Sequence, residues 1–219
     1  MTQFYPLAHA LAAVLLLCAF ALLSQRRLSA MISLYQSEAL VLSAAAFWQG
    51  FAQGSDDLYL TGIITLSIKG ILLPMALRRI VHRFNLIRAV ETVMPVGFSM
   101  ILGVLLIGIA VKVVLPSSAS AVTLTREDLA IALSVVLLGL LVMTTRRNAL
   151  SQVIGFLSTE NGLVLAAIGM PGMPFVAELS VALLVLAALL VVGVFVFQLR
   201  EHSATLDLSG IEEIERRGR

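Results

Sequence analysis

The sequence has 219 residues, of which 59% are hydrophobic and 13% are charged, and its formal net charge is +2. Soluble domains carry about 25% charged residues, so this composition excludes an ordinary soluble enzyme and predicts an integral membrane protein. The basic residues form short clusters between apolar runs, which indicates topology signals and argues against a nucleic-acid partner.

In chain order, the apolar runs predict an all-α, polytopic fold with about seven transmembrane helices, since a hydrocarbon core of about 30 Å needs about 20 apolar residues per span. The predicted helices are residues 7–23, 28–51, 58–77, 93–115, 129–145, 150–168 and 174–199. A cleaved signal peptide is an alternative interpretation of the first run, but that run has no basic residues before it and is long enough to span.

Basic residues lie in every second connection between these helices. With the N-terminus outside, the inner side holds 12 of the 15 Lys and Arg residues. They are Arg26, Arg27, Arg78, Arg79, Arg83, Arg88, Arg146, Arg147, Arg200, Arg216, Arg217 and Arg219. This positive-inside pattern predicts a cytoplasmic C-terminus.

An internal repeat supports a two-part organisation. Residues 31–47, "MISLYQSEALVLSAAAF", align without gaps on residues 153–169, "VIGFLSTENGLVLAAIG", so that Glu38 matches Glu160. Each copy follows an arginine pair and an apolar helix. We therefore expect two parallel three-helix units, residues 1–92 and 117–199, joined by a linking helix at 93–116 and followed by a cytoplasmic tail at 200–219.

Three ionisable residues are predicted at one depth. Glu38 and Glu160 each follow the start of their predicted helix by ten residues, or about 15 Å, and Lys69 precedes Arg78 by nine. A charge there costs about 2.5–3.5 kcal/mol on insertion scales, so such groups face inward and are functional candidates. A static ion pair that fixes helix register is the alternative. Glu178 lies only four residues into the last helix and can reach the outer surface.

The neighbours of these residues also predict buried, inward-facing positions. Ser151, Gly155 and Thr159 form a row of small residues at a spacing of four, which allows close helix packing. Thr65 lies one turn before Lys69. The single cysteine, Cys18, makes neither an internal disulfide nor an iron–sulfur site, so no cofactor is expected in this chain.

The stretch "RRNALSQVIGFLSTENG" resembles component E of hydrogenase-4 and formate hydrogenlyase complexes, and more distantly the small three-helix subunit of respiratory complex I and Mrp-type antiporters. The resemblance includes "SIKGILLP" at residues 67–74 and "TLDLSGIEEI" at residues 205–214. It implies a non-catalytic subunit of a prokaryotic inner-membrane complex that helps couple electron transfer in partner subunits, which carry nickel–iron and iron–sulfur centres, to proton or sodium movement.

Membrane depth and the resemblance together make Glu160, Lys69, Glu38 and Glu178 the ion-translocating candidates, with Arg146, Arg147, Asn161 and Thr65 in support. Three departures from the family pattern limit the resemblance. The glutamate of the complex I subunit corresponds to Leu157 here, one turn before Glu160. Its second acid falls on Glu178 or on Leu184, according to the register chosen, and Glu38 matches no family position.

The expected partners are antiporter-like and hydrogenase-anchoring membrane subunits, anionic lipid along residues 78–88, and a cytoplasmic hydrogenase module at the tail. Residues 78–91 have the pattern of an interfacial amphipathic helix. In the tail, Ser209 and Glu212 form a capping-box pattern that predicts a short docking helix. A purely structural scaffold and an independent secondary transporter are the alternative functions.

Overall fold

The computed structural model describes residues 5–83, 92–117 and 123–169, together with Gly193. Within these residues the fold is helical apart from an isolated bridge between Thr92 and Arg146. Six helices there are long and apolar enough to cross a membrane. They are α1 (Tyr5–Ser24), α2 (Leu28–Gln53), α3 (in three parts, Asp56–Ile64, Thr65–Leu72 and Leu73–Arg83), α4 (Val96–Ser117), α5 (Thr123–Thr145) and α6 (Ala149–Ile168).

The first six predicted helices are confirmed, with ends that differ by a few residues except in α3 and at the start of α5. Of the predicted interfacial amphipathic helix at residues 78–91, the described part, residues 78–83, is helical and continues α3 without a break. Ile80 and Val81 pack into the core, whereas Arg78 and Arg79 are exposed. Apart from Gly193, the predicted seventh helix at 174–199 lies outside the described residues, and so do Glu178 and the tail helix.

Local sequence explains where α2 ends and where α6 begins. Gly54 follows α2 in the left-handed conformation, with a φ of 64°, and its N–H bonds to the carbonyl of Gly50. Glycine adopts this conformation without steric cost. At the start of α6, the side chain of Asn148 accepts a hydrogen bond from the N–H of Leu150 at 2.9 Å. Asparagine is a preferred residue at this position because it satisfies a free backbone donor.

Helices α5 and α6 cross at very short range. A Cβ on Gly155 would lie 2.7 Å from the backbone nitrogen of Met143, and one on Gly162 would lie 2.8 Å from that of Val136. Only glycine fits at such distances. Thr159, one turn after Gly155, contacts α5 at Gly139. The predicted small-residue row therefore does allow another helix to approach closely.

The core lies where α1, α2, α3, α5 and α6 meet. In an 18-residue apolar stretch of each helix, 78% of residues are buried in α6 but only 17% in α4. Among the described helices α6 is thus the central one, and α4 packs on the outside of α1 and α5. The polar sequence Ser158–Asn161 lies in the helix that the other elements cover most completely.

A buried carboxylate and lysine cluster

The three ionisable residues predicted at one depth do come together. Glu38 on α2, Lys69 on α3 and Glu160 on α6 are 0%, 1% and 1% exposed. We call these residues, together with Ser158 and Asn161, the central cluster. It lies near the middle of the bundle, far from the arginine-rich end formed by the end of α1, the start of α2 and the end of α3.

Lys69 is the centre of this cluster. Its Nζ lies 2.9 Å from Oε1 of Glu160 and donates a hydrogen bond to Oδ1 of Asn161 at 3.3 Å. The contact with Glu160 is close but poorly directed, and neither oxygen of that carboxylate has an aligned hydrogen-bond donor among the described residues. Among the described residues, the ammonium of Lys69 is therefore the main partner of Glu160.

Glu38 has more complete hydrogen bonding. Ser158 donates to its Oε1 at 3.1 Å, and the amide of Asn161 donates to its Oε2 at 3.3 Å. The side chain of Asn161 thus turns its carbonyl to the ammonium of Lys69 and its NH₂ to the carboxylate of Glu38. A continuous polar chain runs from Glu160 through Lys69 and Asn161 to Glu38 and Ser158.

The formal charges of these three side chains do not cancel when all three are ionised. With both carboxylates ionised and Lys69 protonated, two negative charges face one positive charge, which leaves a net charge of −1. Uncompensated charge in an apolar interior is costly. One additional proton or monovalent cation makes the cluster neutral, so the arrangement is suited to binding and releasing one such ion.

A π-helical segment presents Lys69 to the cluster. Thr65–Leu72 is wound as a π-helix inside α3, and the N–H of Leu73 bonds to the carbonyl of Ile68. Gln36 donates from its Nε2 to the carbonyl of Gly70 at 3.0 Å, which ties this segment to α2. π-Helical turns occur frequently at functional sites. This π-helical winding could not be predicted from the sequence, because no residue pattern distinguishes the segment from the surrounding α-helix.

Of the predicted supporting residues, Asn161 belongs to the cluster and Thr65 is buried at the start of the π-helical segment. Tyr35, which sequence analysis did not select, is fully buried three residues before Glu38, on the same face of α2. Its hydroxyl has no hydrogen-bond partner among the described residues. Its position three residues before Glu38 was the sequence feature that could have identified Tyr35 as a neighbour of the cluster.

Arg146 lies away from the cluster, at the arginine-rich end. It is 2% exposed, and its Nη2 donates to the carbonyls of Leu22 at 3.1 Å and Leu23 at 2.8 Å. These are carbonyls at the end of α1, where a cation is stabilised by the helix dipole. Burial and, to a smaller extent, repulsion from Arg26 lower the pKa of Arg146, although an arginine remains charged. Arg147 is exposed.

A second polar group lies at the opposite end. Nδ1 of His9 is 2.9 Å from Oδ1 of Asp128, and Nε2 is 3.8 Å from Oε2 of Glu127. A cavity of about 10 Å³, which is about the size of one water molecule, lies beside Asp128 and reaches Gln49. Gln49 is eleven residues from Glu38 on α2, or about 16 Å along the axis, so the two polar sites are not in contact.

Comparison with known proteins identifies a relative of similar length. The chain is 30% identical over 204 residues to the uncharacterized protein Rv0085 of Mycobacterium tuberculosis, and the match covers 91% of this chain and 92% of the relative. The chain belongs to the Rv0085 family. No family model matches the sequence, and no solved structure matches it. Because the match to Rv0085 is nearly full length, the aligned region contains the segments that carry Glu38, Lys69 and Glu160.

Proposed function

We propose that this member of the Rv0085 family is a non-redox membrane subunit of an energy-converting hydrogenase complex of the hydrogenase-4 or formate hydrogenlyase type. Its role is to help couple electron transfer in partner subunits to proton or sodium translocation. The observation that carries the proposal is the buried chain Glu160–Lys69–Asn161–Glu38. With all three charged side chains ionised, the net charge of −1 in this buried, apolar interior favours uptake of one ion.

Within this chain the two carboxylates have different roles. Glu160 is the ion-exchanging group, since its oxygens are the least satisfied by hydrogen bonds. Lys69 responds to the charge on Glu160 across 2.9 Å. Asn161 contacts both Lys69 and Glu38, so a change of charge at one end of the chain alters the hydrogen bonding at the other.

The type of complex is proposed from the resemblance of residues 146–162 to component E of hydrogenase-4. The contacts of these residues give the motif a structural role. Arg146 caps the end of α1, Asn148 caps the start of α6, and Glu160 and Asn161 enter the cluster. The proposed partners are antiporter-like and hydrogenase-anchoring membrane subunits, with a cytoplasmic hydrogenase module at the tail. Nickel–iron and iron–sulfur centres belong to those partners.

We further propose the full architecture of seven spans in two parallel three-helix units, in a prokaryotic inner membrane, with the N-terminus outside. The repeat is supported by corresponding burial in α2 and α6. Ile32 and its counterpart Ile154 are both buried, and so are Glu38 and its counterpart Glu160. The two glutamates enter one cluster from the two proposed repeats. Glu178 remains a candidate in the proposed seventh span.

The test uses the intact complex, purified from native membranes in mild detergent. We expect nickel–iron and iron–sulfur subunits to co-purify with this chain. In inverted vesicles, Glu160→Gln should reduce the ion gradient formed per hydrogen turned over by at least tenfold, while the complex still assembles. Asp57→Asn, which removes an exposed acid outside the cluster, is the matched control. An unchanged gradient in Glu160→Gln, or a band without the metal-containing subunits, contradicts the proposal.

A purely structural scaffold is the second candidate. It is favoured by the closed hydrogen bonding of Glu38 and by the way Arg146 joins α1 to the turn before α6. In that case Glu160→Gln leaves ion movement unchanged, and replacement of Arg146 prevents assembly. An independent transporter would instead move ions when the isolated chain is reconstituted in vesicles.

A further inference from the structure

A cavity of about 530 Å³ lies at the arginine-rich end, between the start of α2 and the end of α3, far from the central cluster. This volume is in the range of small-molecule binding sites. The residues that line it are Arg27, Leu28, Ser29, Ile32, Arg78, Val81 and His82. None of these lining residues is acidic.

The lining is divided into a basic rim and an apolar floor. Arg27, Arg78 and His82 are exposed, whereas Leu28, Ile32 and Val81 are buried. Two guanidinium groups close together select an anion, and arginine matches the geometry of phosphate oxygens with paired donors. The apolar floor selects a hydrocarbon group. A ligand that fits both parts is amphiphilic and anionic.

Neighbouring residues hold Arg78 in place at the rim. Its Nη2 donates to Oε1 of Gln36 at 2.7 Å and to Oγ of Ser33 at 3.4 Å. A guanidinium that is already oriented loses less conformational entropy when an anion binds. The start of α2 adds positive potential, because Arg27 makes no side-chain cap and the first backbone donors of a 26-residue helix face this end.

Beyond the cavity, the surface of α3 continues the apolar floor. Met75 is exposed and precedes Arg78 by three residues and His82 by seven, so it lies on the same stripe of the helix. Ile71, one turn further on, is also exposed. A hydrocarbon chain leaving the cavity therefore meets apolar side chains along the direction of the membrane interior.

We propose that this cavity binds one anionic phospholipid, with its phosphate between Arg27 and Arg78 and an acyl chain over Ile32, Val81 and Met75. The general expectation of anionic lipid along residues 78–88 thus becomes a defined site that includes the start of α2. Free phosphate would use only the rim of the site and leave the apolar floor uncovered.

The experiment measures lipid binding to the purified, delipidated full chain. Phosphatidylglycerol in detergent micelles should raise the thermal unfolding temperature and remain bound in native mass spectra. Phosphatidylcholine and inorganic phosphate, at equal phosphate concentration, should do neither. Arg27→Gln with Arg78→Gln should weaken phosphatidylglycerol binding by at least tenfold. Arg26→Gln with Arg79→Gln removes the same charge from exposed positions at the same end and is the control.

Equal loss of binding in both double variants would overturn the proposal, because it would indicate attraction to net charge alone. Equal stabilisation by phosphatidylcholine, or by inorganic phosphate, would also overturn it. All four arginines are exposed, so we expect the variants to fold, and unfolding without added lipid checks this. Since the measurement follows lipid and not ion movement, its failure is distinct from failure of the proposed function.

Discussion

Lys69 and Arg146 are both buried cations in a largely apolar bundle, yet their surroundings differ in kind. They are 1% and 2% exposed. Lys69 faces Glu160 and Asn161, and Glu38 is one hydrogen-bonded residue away. Arg146 faces backbone carbonyls at the end of α1.

This difference separates a site that can change its charge from one that cannot. Every charged partner of Lys69 among the described residues is titratable, so the electrostatics of the central cluster change when a proton arrives or leaves. Backbone carbonyls do not titrate, and arginine stays protonated at any physiological pH. Burial alone therefore does not make a basic residue a candidate for ion coupling, because only a titratable partner lets the local charge change.

The largest expected effect follows from removing the cation of the cluster. Lys69→Met leaves two carboxylates without a positive charge and should lower the free energy of unfolding by about 3–5 kcal/mol, as for other broken buried ion pairs. Lys69→Met with Glu160→Gln should recover at least half of this loss. Unfolding of the purified chain in detergent measures both. If the double variant is no more stable than Lys69→Met alone, the two groups are not coupled.

Replacing Arg146, the other buried basic residue, should lower the free energy of unfolding by a smaller amount. Arg146→Met loses hydrogen bonds from one charged nitrogen to two carbonyls, and we expect a loss of about 2–3 kcal/mol, with Arg146→Lys intermediate. The same unfolding measurement applies. Arg147→Met, at the exposed neighbour, should stay within about 0.5 kcal/mol of the wild type. Similar losses of unfolding free energy for Arg146→Met and Arg147→Met would show that the buried arginine is no more important for stability than the exposed one.

The cluster also depends on the close crossing of α5 and α6. Gly155→Ala places a methyl group 2.7 Å from the backbone nitrogen of Met143 and should cost about 1–3 kcal/mol through overpacking. Gly108→Ala on α4 is the control, since a Cβ at that position would have no described neighbour within 4 Å. Thermal unfolding in detergent compares them. An equally stable Gly155→Ala would show that α6 can move away from α5 freely.

The smallest expected effect concerns the hydrogen bonds of Glu38. Ser158→Ala removes the donor to Oε1 of Glu38 and should cost about 0.6 kcal/mol, the average for side-chain hydrogen bonds between membrane helices. Ser37→Ala, an exposed serine that bonds to its own helix at Ser33, should have no measurable effect. If Ser158→Ala lowered the free energy of unfolding by more than about 2 kcal/mol, Glu38 would depend on its hydrogen-bond donors as strongly as Glu160 depends on Lys69.

Much of the fold in the described residues could be predicted from the sequence, because a span of the bilayer demands about 20 apolar residues and few other segments meet that demand. The shared depth of Glu38, Lys69 and Glu160 followed from a fixed rise per residue. Their convergence on one point did not follow, because depth fixes position along the bundle axis but not rotation around it.

The rotation of each helix about its own axis depends on side-chain packing, which the sequence specifies only in part. The small residues at Gly155 and Thr159 indicate which face of α6 another helix approaches. Nothing in the sequence indicates that Asn161 bridges Lys69 and Glu38, since an asparagine beside a glutamate has several orientations. The sequence presents Arg146 as one of many topology signals, because its burial depends on the end of α1, over 120 residues earlier.

The π-helical segment Thr65–Leu72 has a consequence for any attempt to shorten or redesign α3. Its wider turns hold more residues than an α-helix of equal length, so a redesign that wound the same eight residues as a regular α-helix would rotate the far half of the helix relative to the near half. If Lys69 then kept its place in the central cluster, Arg78 and His82 would turn away from α2. The winding of these eight residues therefore sets the angular phase between the middle of the bundle and its arginine-rich end.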